Sequence, residues 1–140
     1  MTFKNILVPC DLTKSSQKAL DIAISMISKD MGEITLIHVI EKIEGIEDED
    51  LISFYQKLKN RAQKKMDEIA LDYKNHGIPV KTEISIGKRV PDIIRAVQEH
   101  KIDLIILKSH KIEEVRTGEG WATISYKIAI LAPCPVMMVK

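Results

Sequence analysis

Four short apolar runs, each set off by polar turns and separated by helical patterns, are the strongest constraint on what this chain can fold into. Leu104-Ile105-Ile106-Leu107 is too short for a buried helix and suits a central strand. Asn5 to Pro9 and Ile34 to Val39 read as buried strands too, the β-branched content of the second fitting a buried parallel strand, and Val136 to Val139 makes a last strand. Val80 to Ile86 alternates apolar and polar residues instead, the pattern of an outer strand with one open face.

Helical repeats fill the gaps. Leu20, Ala23, Ile24, Ile27 and Met31 recur at helical spacing, with Gly32 as the expected stop. A long helix is predicted over roughly Glu49 to Asn75, with Leu51, Tyr55, Leu58, Ala62, Met66, Ile69, Ala70 and Tyr73 on one face. Gly77 stands at its C-terminal end. A third helix follows Pro91, with Ile94 and Val97 facing inward, and a fourth carries Ile124, Ile128 and Leu131 before Ala132-Pro133-Cys134-Pro135 closes it. The order is β-α-β-α-β-α-β-α-β, with neither internal repeat nor linker composition. Right-handed crossovers then put helices on both faces of a parallel sheet. The expected fold is an α/β open doubly wound five-stranded sheet in one domain, residues 1–140.

Composition removes several function classes. A net charge of +1 gives no general attraction to nucleic acid or an anionic membrane. The lysines and arginine of the long helix (Lys57, Lys59, Arg61, Lys64, Lys65) mostly fall off its apolar face and are offset by the acidic Glu41 to Asp50 segment. No apolar run of membrane-spanning length occurs, and Met1 leads straight into a strand without a signal-peptide pattern, so a cytoplasmic address is expected. Cys10 and Cys134 lack metal-ligand spacing and read as buried thiols, with a reactive Cys10 as the alternative because it sits at a strand end. No metal site is predicted, because no ligand set has metal-binding spacing, and no catalytic residue, because neither a Ser-His-Asp order nor an intact phosphate-binding glycine loop is present.

The apolar runs also carry a resemblance. Ile6-Leu7-Val8-Pro9-Cys10-Asp11, Leu36-Ile37-His38-Val39, Asp103-Leu104-Ile105-Ile106-Leu107 and Ala132-Pro133-Cys134-Pro135-Val136 resemble, in order and spacing, the characteristic segments of the universal stress protein family. The resemblance implies a Rossmann-like sheet of strand order 3-2-1-4-5. It also implies a homodimer paired along the last strand, here Val136, Met137, Met138 and Val139. Members that bind ATP, with Mg²⁺, use Gly-x-x-Gly, nine residues, then Gly-Ser or Gly-Thr. By position the nucleotide candidates are Pro9, Cys10, Asp11, Val39, Leu107, Lys108, Lys111, Ala122, Thr123 and Ile124.

This chain departs from that pattern where phosphates would lie. Lys108 and Lys111 occupy the first two glycine places, and ten residues rather than nine separate Lys111 from Ala122-Thr123. A non-glycine residue forced to positive φ costs about 1–3 kcal/mol, so the usual cradle of backbone amides is disfavoured. Two readings stay open. Lys108, His110, Lys111 and Arg116 hold an anion such as the phosphate of ATP or AMP, or they are solvated loop charges offset by Glu113, Glu114 and Glu119. The sequence therefore supports a small stress-type regulatory homodimer without standard ATP binding and with an unidentified protein partner. An adenine-nucleotide module with a rebuilt phosphate site is the alternative. Slow ATP hydrolysis is the most that the resemblance implies as enzyme activity.

Overall fold

Side chains of consecutive strand residues point to opposite faces, so an apolar run buried throughout needs a cover on each side. The computed structural model, which describes residues 2–13, 15–43, 45, 49–109 and 123–140, supplies both covers. The elements follow in the order β1 (Asn5–Pro9), α1 (Ser15–Met26), β2 (Glu33–Glu41), α2 (Glu49–Asp72), β3 (Val80–Gly87), α3 (Arg89–Glu99), β4 (Leu104–Lys108), α4 (Thr123–Leu131) and β5 (Val136–Val139). A 3-10 turn, Lys74–His76, extends the end of α2. All strand pairs are parallel, in the order β3-β2-β1-β4-β5.

The two cores separate by residue parity. Ile6, Val8, Ile34, Leu36, Leu104 and Ile106 pack with Leu20 and Ala23 of α1 and Met66 of α2. Leu7, Ile37, Val39, Ile105 and Leu107 pack with Ile93, Ala96 and Val97 of α3 and Ile128 of α4. Parallel pairing keeps matched residues on one face: Ile6 stands beside Ile34 on one side and Leu104 on the other. A third cluster, Ile40, Tyr55 and Ala62, seals the first half of α2 over the outer strands. Asp103 ties the start of β4 to β1: its carboxylate accepts the backbone N–H groups of Lys4 at 2.9 Å and Asn5 at 3.0 Å. Among the described residues no helix is long and apolar enough to cross a membrane.

Three helix details differ from the sequence reading. α1 stops at Met26, well short of Gly32, and Met31 is 71% exposed. The chain leaves the helix because Phe3 competes for it: Phe3 bridges Ile27, and the Ser28 N–H donates to the Phe3 carbonyl at 2.7 Å. Gly32 is required by close approach rather than as a helix stop, since a Cβ there would overlap the Ser28 carbonyl oxygen and the Ile27 side chain. In α3 the inward residues are Ile93, Ala96 and Val97, and Ile94 is only half-buried. In α4, Ile128 is buried but Leu131 is exposed. Gly77 does close the α2 segment, in the left-handed conformation at φ 71°.

These placements separate two substitutions that look alike in sequence. Ile106→Ala removes a fully enclosed side chain and is expected to cost about 2–5 kcal/mol. Met31→Ala is expected to stay within about 0.5 kcal/mol of the native protein. Urea unfolding of the two variants measures both.

Candidate functional site

β1 lies between β2 and β4, so the chain leaves it toward one side of the sheet and returns on the other. Pairing between β1 and β4 covers only Ile6 with Leu104 and Leu7 with Ile105, although the strands run on to Pro9 and Lys108. Beyond that point the two C-terminal ends are no longer joined and a crevice begins, the usual ligand position in an open parallel sheet.

The near wall is the turn after β1. The Cys10 N–H donates to the Ile37 carbonyl at 2.7 Å, and His38 Nδ1 donates to the Cys10 carbonyl at the same distance. A carbonyl only accepts, so this bond assigns a proton to Nδ1. Leu12 turns through φ 68°, a left-handed value rarely taken by a branched side chain, and its N–H lies 3.3 Å from the Cys10 sulfur. Asp11 organises the passage from this turn into α1. Its Oδ1 accepts the Thr13 N–H at 3.0 Å, the Thr13 hydroxyl at 2.5 Å and the Ser16 hydroxyl at 2.6 Å. Partial burial raises the Asp11 carboxyl, but the bonds from Ser16 and Thr13 and the charge of Lys108 outweigh it and hold the group below its ordinary range.

The charge of Lys108, at the end of β4, is the smallest of the influences that lower the Asp11 carboxyl. The remaining candidates are not gathered so simply. Val39 and Leu107 are buried in the core under α3 and α4, and Ile124 packs against that core from α4. The Cys10 side chain belongs to the opposite core, under α1 and α2, and so turns away from them. Burial pushes its thiol up, against the opposing bonds from Leu12 and Ser16, which removes the depressed pKa that a nucleophilic Cys10 requires. Pro9 stands half-buried at the rim.

Thr123 is the first residue of α4. Lys111 and Ala122, together with His110, Arg116, Gly118, Gly120 and Trp121, lie outside the described residues. Sequence reasoning missed Ser16 and His38 as parts of this wall. The signal for Ser16 was present in the Asp-x-Thr-x-x-Ser spacing after β1, which matches a side-chain-closed turn running into a helix. Nothing comparable marked His38, whose partner is the backbone carbonyl of Cys10, just past the end of β1.

Comparison with known proteins gives this geometry its context. The profile of the universal stress protein family matches residues 2–140. Universal stress protein MJ0577 of Methanocaldococcus jannaschii is 26% identical over 159 residues, covering 99% of this chain and 95% of the relative. The solved structure of MJ0577 superposes with a TM-score of 0.84, over 100% of this chain and 97% of that one. Universal stress protein YxiE of Bacillus subtilis is 22% identical, with 99% of each chain covered. A universal stress family protein of Arabidopsis thaliana, solved with AMP bound, shares the fold at 19% identity and a TM-score of 0.69, over 98% of this chain and 91% of its own. With the family profile spanning nearly its whole length and the 3-2-1-4-5 sheet in place, this chain belongs to the universal stress protein family.

Proposed function

We propose that the chain works as a single-domain, homodimeric stress-response module that acts through its surface and an unidentified protein partner, without a standard ATP cradle and without catalysis. The observation that carries this reading is the apolar surface on its last two elements. Tyr126 and Ile130 are one helical turn apart on the outer face of α4, with Ile130 70% exposed, and Leu131 and Met138 are exposed beside them in sequence and on β5. β5 is the edge of the sheet, so one row of its backbone groups faces no other strand among the described residues. A second copy pairing along Val136, Met137, Met138 and Val139 would take up those groups and cover the apolar residues. Val139 itself points into the core and Met137 is half-buried against it, so the side chain exchanged at such an interface is Met138.

An adenine-nucleotide module is the second reading. The coupled Asp11 and Lys108 at the opening between β1 and β4 favour it, and relatives have been solved with AMP and dAMP bound. Against it stands Lys108 at a position where ATP-binding members of the family carry glycine. On this reading Lys108 supplies as a side-chain cation what the glycine loop supplies with backbone amides.

Light scattering after size exclusion tests the first reading. The native chain is expected at the mass of two copies, and Ile130→Glu combined with Met138→Glu at the mass of one, because two like charges would face each other across the axis. A native monomer would overturn it. Calorimetric titration of nucleotide-stripped protein separates the second: ATP with Mg²⁺ is expected to bind more weakly than about 10 μM, roughly −7 kcal/mol. Tighter binding of ATP or AMP, lost in Lys108→Ala, would establish a rebuilt phosphate site instead.

Asp11 gives a test in the absence of any ligand. Its folded carboxyl lies below its ordinary range, so it contributes stability that is fully present above the unfolded pKa of about 3.9. That contribution is lost as pH falls through the lower, folded value. Asp11→Asn is therefore expected to be less stable than the native chain at neutral pH, with the gap closing below about pH 4. Urea midpoints across a pH series measure it.

A further inference from the structure

Away from the crevice, a Glu–His pair joins the outer strand to the end of α3; its two facing atoms make no hydrogen bond, although each side chain is more than a quarter exposed. Glu83 Oε2 and His100 Nε2 are shut off from solvent, and neither has a hydrogen-bond partner among the described residues. They lie 3.4 Å apart. That is longer than the 2.7–3.2 Å of an ordinary N–H···O bond. It matches the edge of a tetrahedron around zinc: bonds of about 2.0–2.1 Å place two ligand atoms about 3.4 Å from one another. A carboxylate oxygen of Glu99 completes a set of three donor atoms that all lie within 4.8 Å of one another.

We propose that Glu83, His100 and Glu99 form a site for one Zn²⁺ ion, with water as the fourth ligand. The scaffold is fixed by the fold on both sides. Glu83 is held in register beside Ile37 on the face covered by α3, and His100 caps α3, its N–H bonded to the Ala96 carbonyl at 3.0 Å. The second layer is present as well. Arg95 Nη1 donates to Glu99 Oε1 at 3.1 Å and Oε2 at 3.2 Å, and Arg95 Nη2 lies 3.4 Å from the Ser85 hydroxyl, which donates to Asp92 at 2.6 Å. Arg95 now holds both Glu99 oxygens; a metal taking one of them would leave the Arg95 bond on the other, the kind of partner that orients a ligating carboxylate. One imidazole with two carboxylates suits zinc rather than calcium or magnesium, which take oxygen ligands in larger number. The bound ion would clamp the outer strand to the end of α3. β3 is separated from β1 by β2, so this site stands apart from the nucleotide question.

The test is competition between metal-stripped full-length protein and a chromophoric zinc chelator. One equivalent of Zn²⁺ per chain is expected. Glu83→Gln and His100→Gln should each weaken uptake at least about tenfold, while His76→Gln, which alters an exposed imidazole, should leave it unchanged. No uptake by the native protein, or equal uptake by His100→Gln, would overturn the site. Circular dichroism checks that the variants fold. Should either fail to, zinc must protect His100 of the native chain from carbethoxylation, read by peptide mass, while His76 still reacts. A His100 that stays reactive at saturating zinc would overturn it equally.

Discussion

Everything in this fold depends on β1 and β4 being enclosed on both faces. Ile6, Leu7, Val8, Leu104, Ile105 and Ile106 are almost wholly removed from solvent, and they divide between two cores by parity alone. Each such side chain contributes about 1.5–3 kcal/mol on burial, an upper estimate because the unfolded chain already hides some of that area. The consequence reaches beyond stability. With α1 and α2 on one face and α3 and α4 on the other, the central strands leave no broad side for a ligand. What remains is their C-terminal ends and the two edge strands, β3 and β5. The crevice beside Asp11, the Glu83–His100 pair and the apolar edge at Met138 each occupy one of those places.

At the strand ends the turn after β1 is preset rather than loose. Asp11 spends one carboxylate oxygen on three donors from Thr13 and Ser16, while His38 and Ile37 hold the backbone of Cys10. Leu12 in the left-handed region costs about 1–3 kcal/mol, and that network is what sustains it. Holding the turn and meeting a ligand, the role that the resemblance implies for Asp11, therefore do not exclude one another. A carboxylate fixed in place by its neighbours is also a carboxylate already oriented, at little further entropic cost, toward whatever enters beside Lys108.

The sequence made the sheet legible because a doubly covered strand needs apolar residues at every position, a pattern few other structures tolerate. Leu104 to Leu107 could hardly be anything else. Helix ends were less legible for an equally physical reason. Ile27 keeps the helical apolar spacing of α1, yet is used to bridge Phe3, a residue distant in sequence, so periodicity continues past the point where the helix stops. Leu131 shows the same limit: its spacing fits an inward stripe, but α4 is already leaving the core when it is reached. The bond from His38 to the Cys10 carbonyl and the pairing of Glu83 with His100 had no local signature. Contacts between side chains and backbone from separate elements are set by register, and register appears only once the strands are aligned.

The two edges of the sheet differ in chemistry, and that difference bears on which one associates. β3 carries alternating polar residues: Lys81 bridges Glu33 at 2.9 Å, and Glu83 faces His100. A strand built this way resists pairing with another chain, because a partner would strip water from its charged side chains. β5 has no charged residue between Val136 and Val139, and it lies beside a helix with apolar residues turned outward. Pairing there removes apolar area and takes up edge backbone groups in one step, without desolvating a side-chain charge on the strand. The asymmetry thus protects one edge and leaves the other as the edge that the proposed dimer would use. It also means that an ion held at Glu83 and His100 would stiffen the protected edge without obstructing the other.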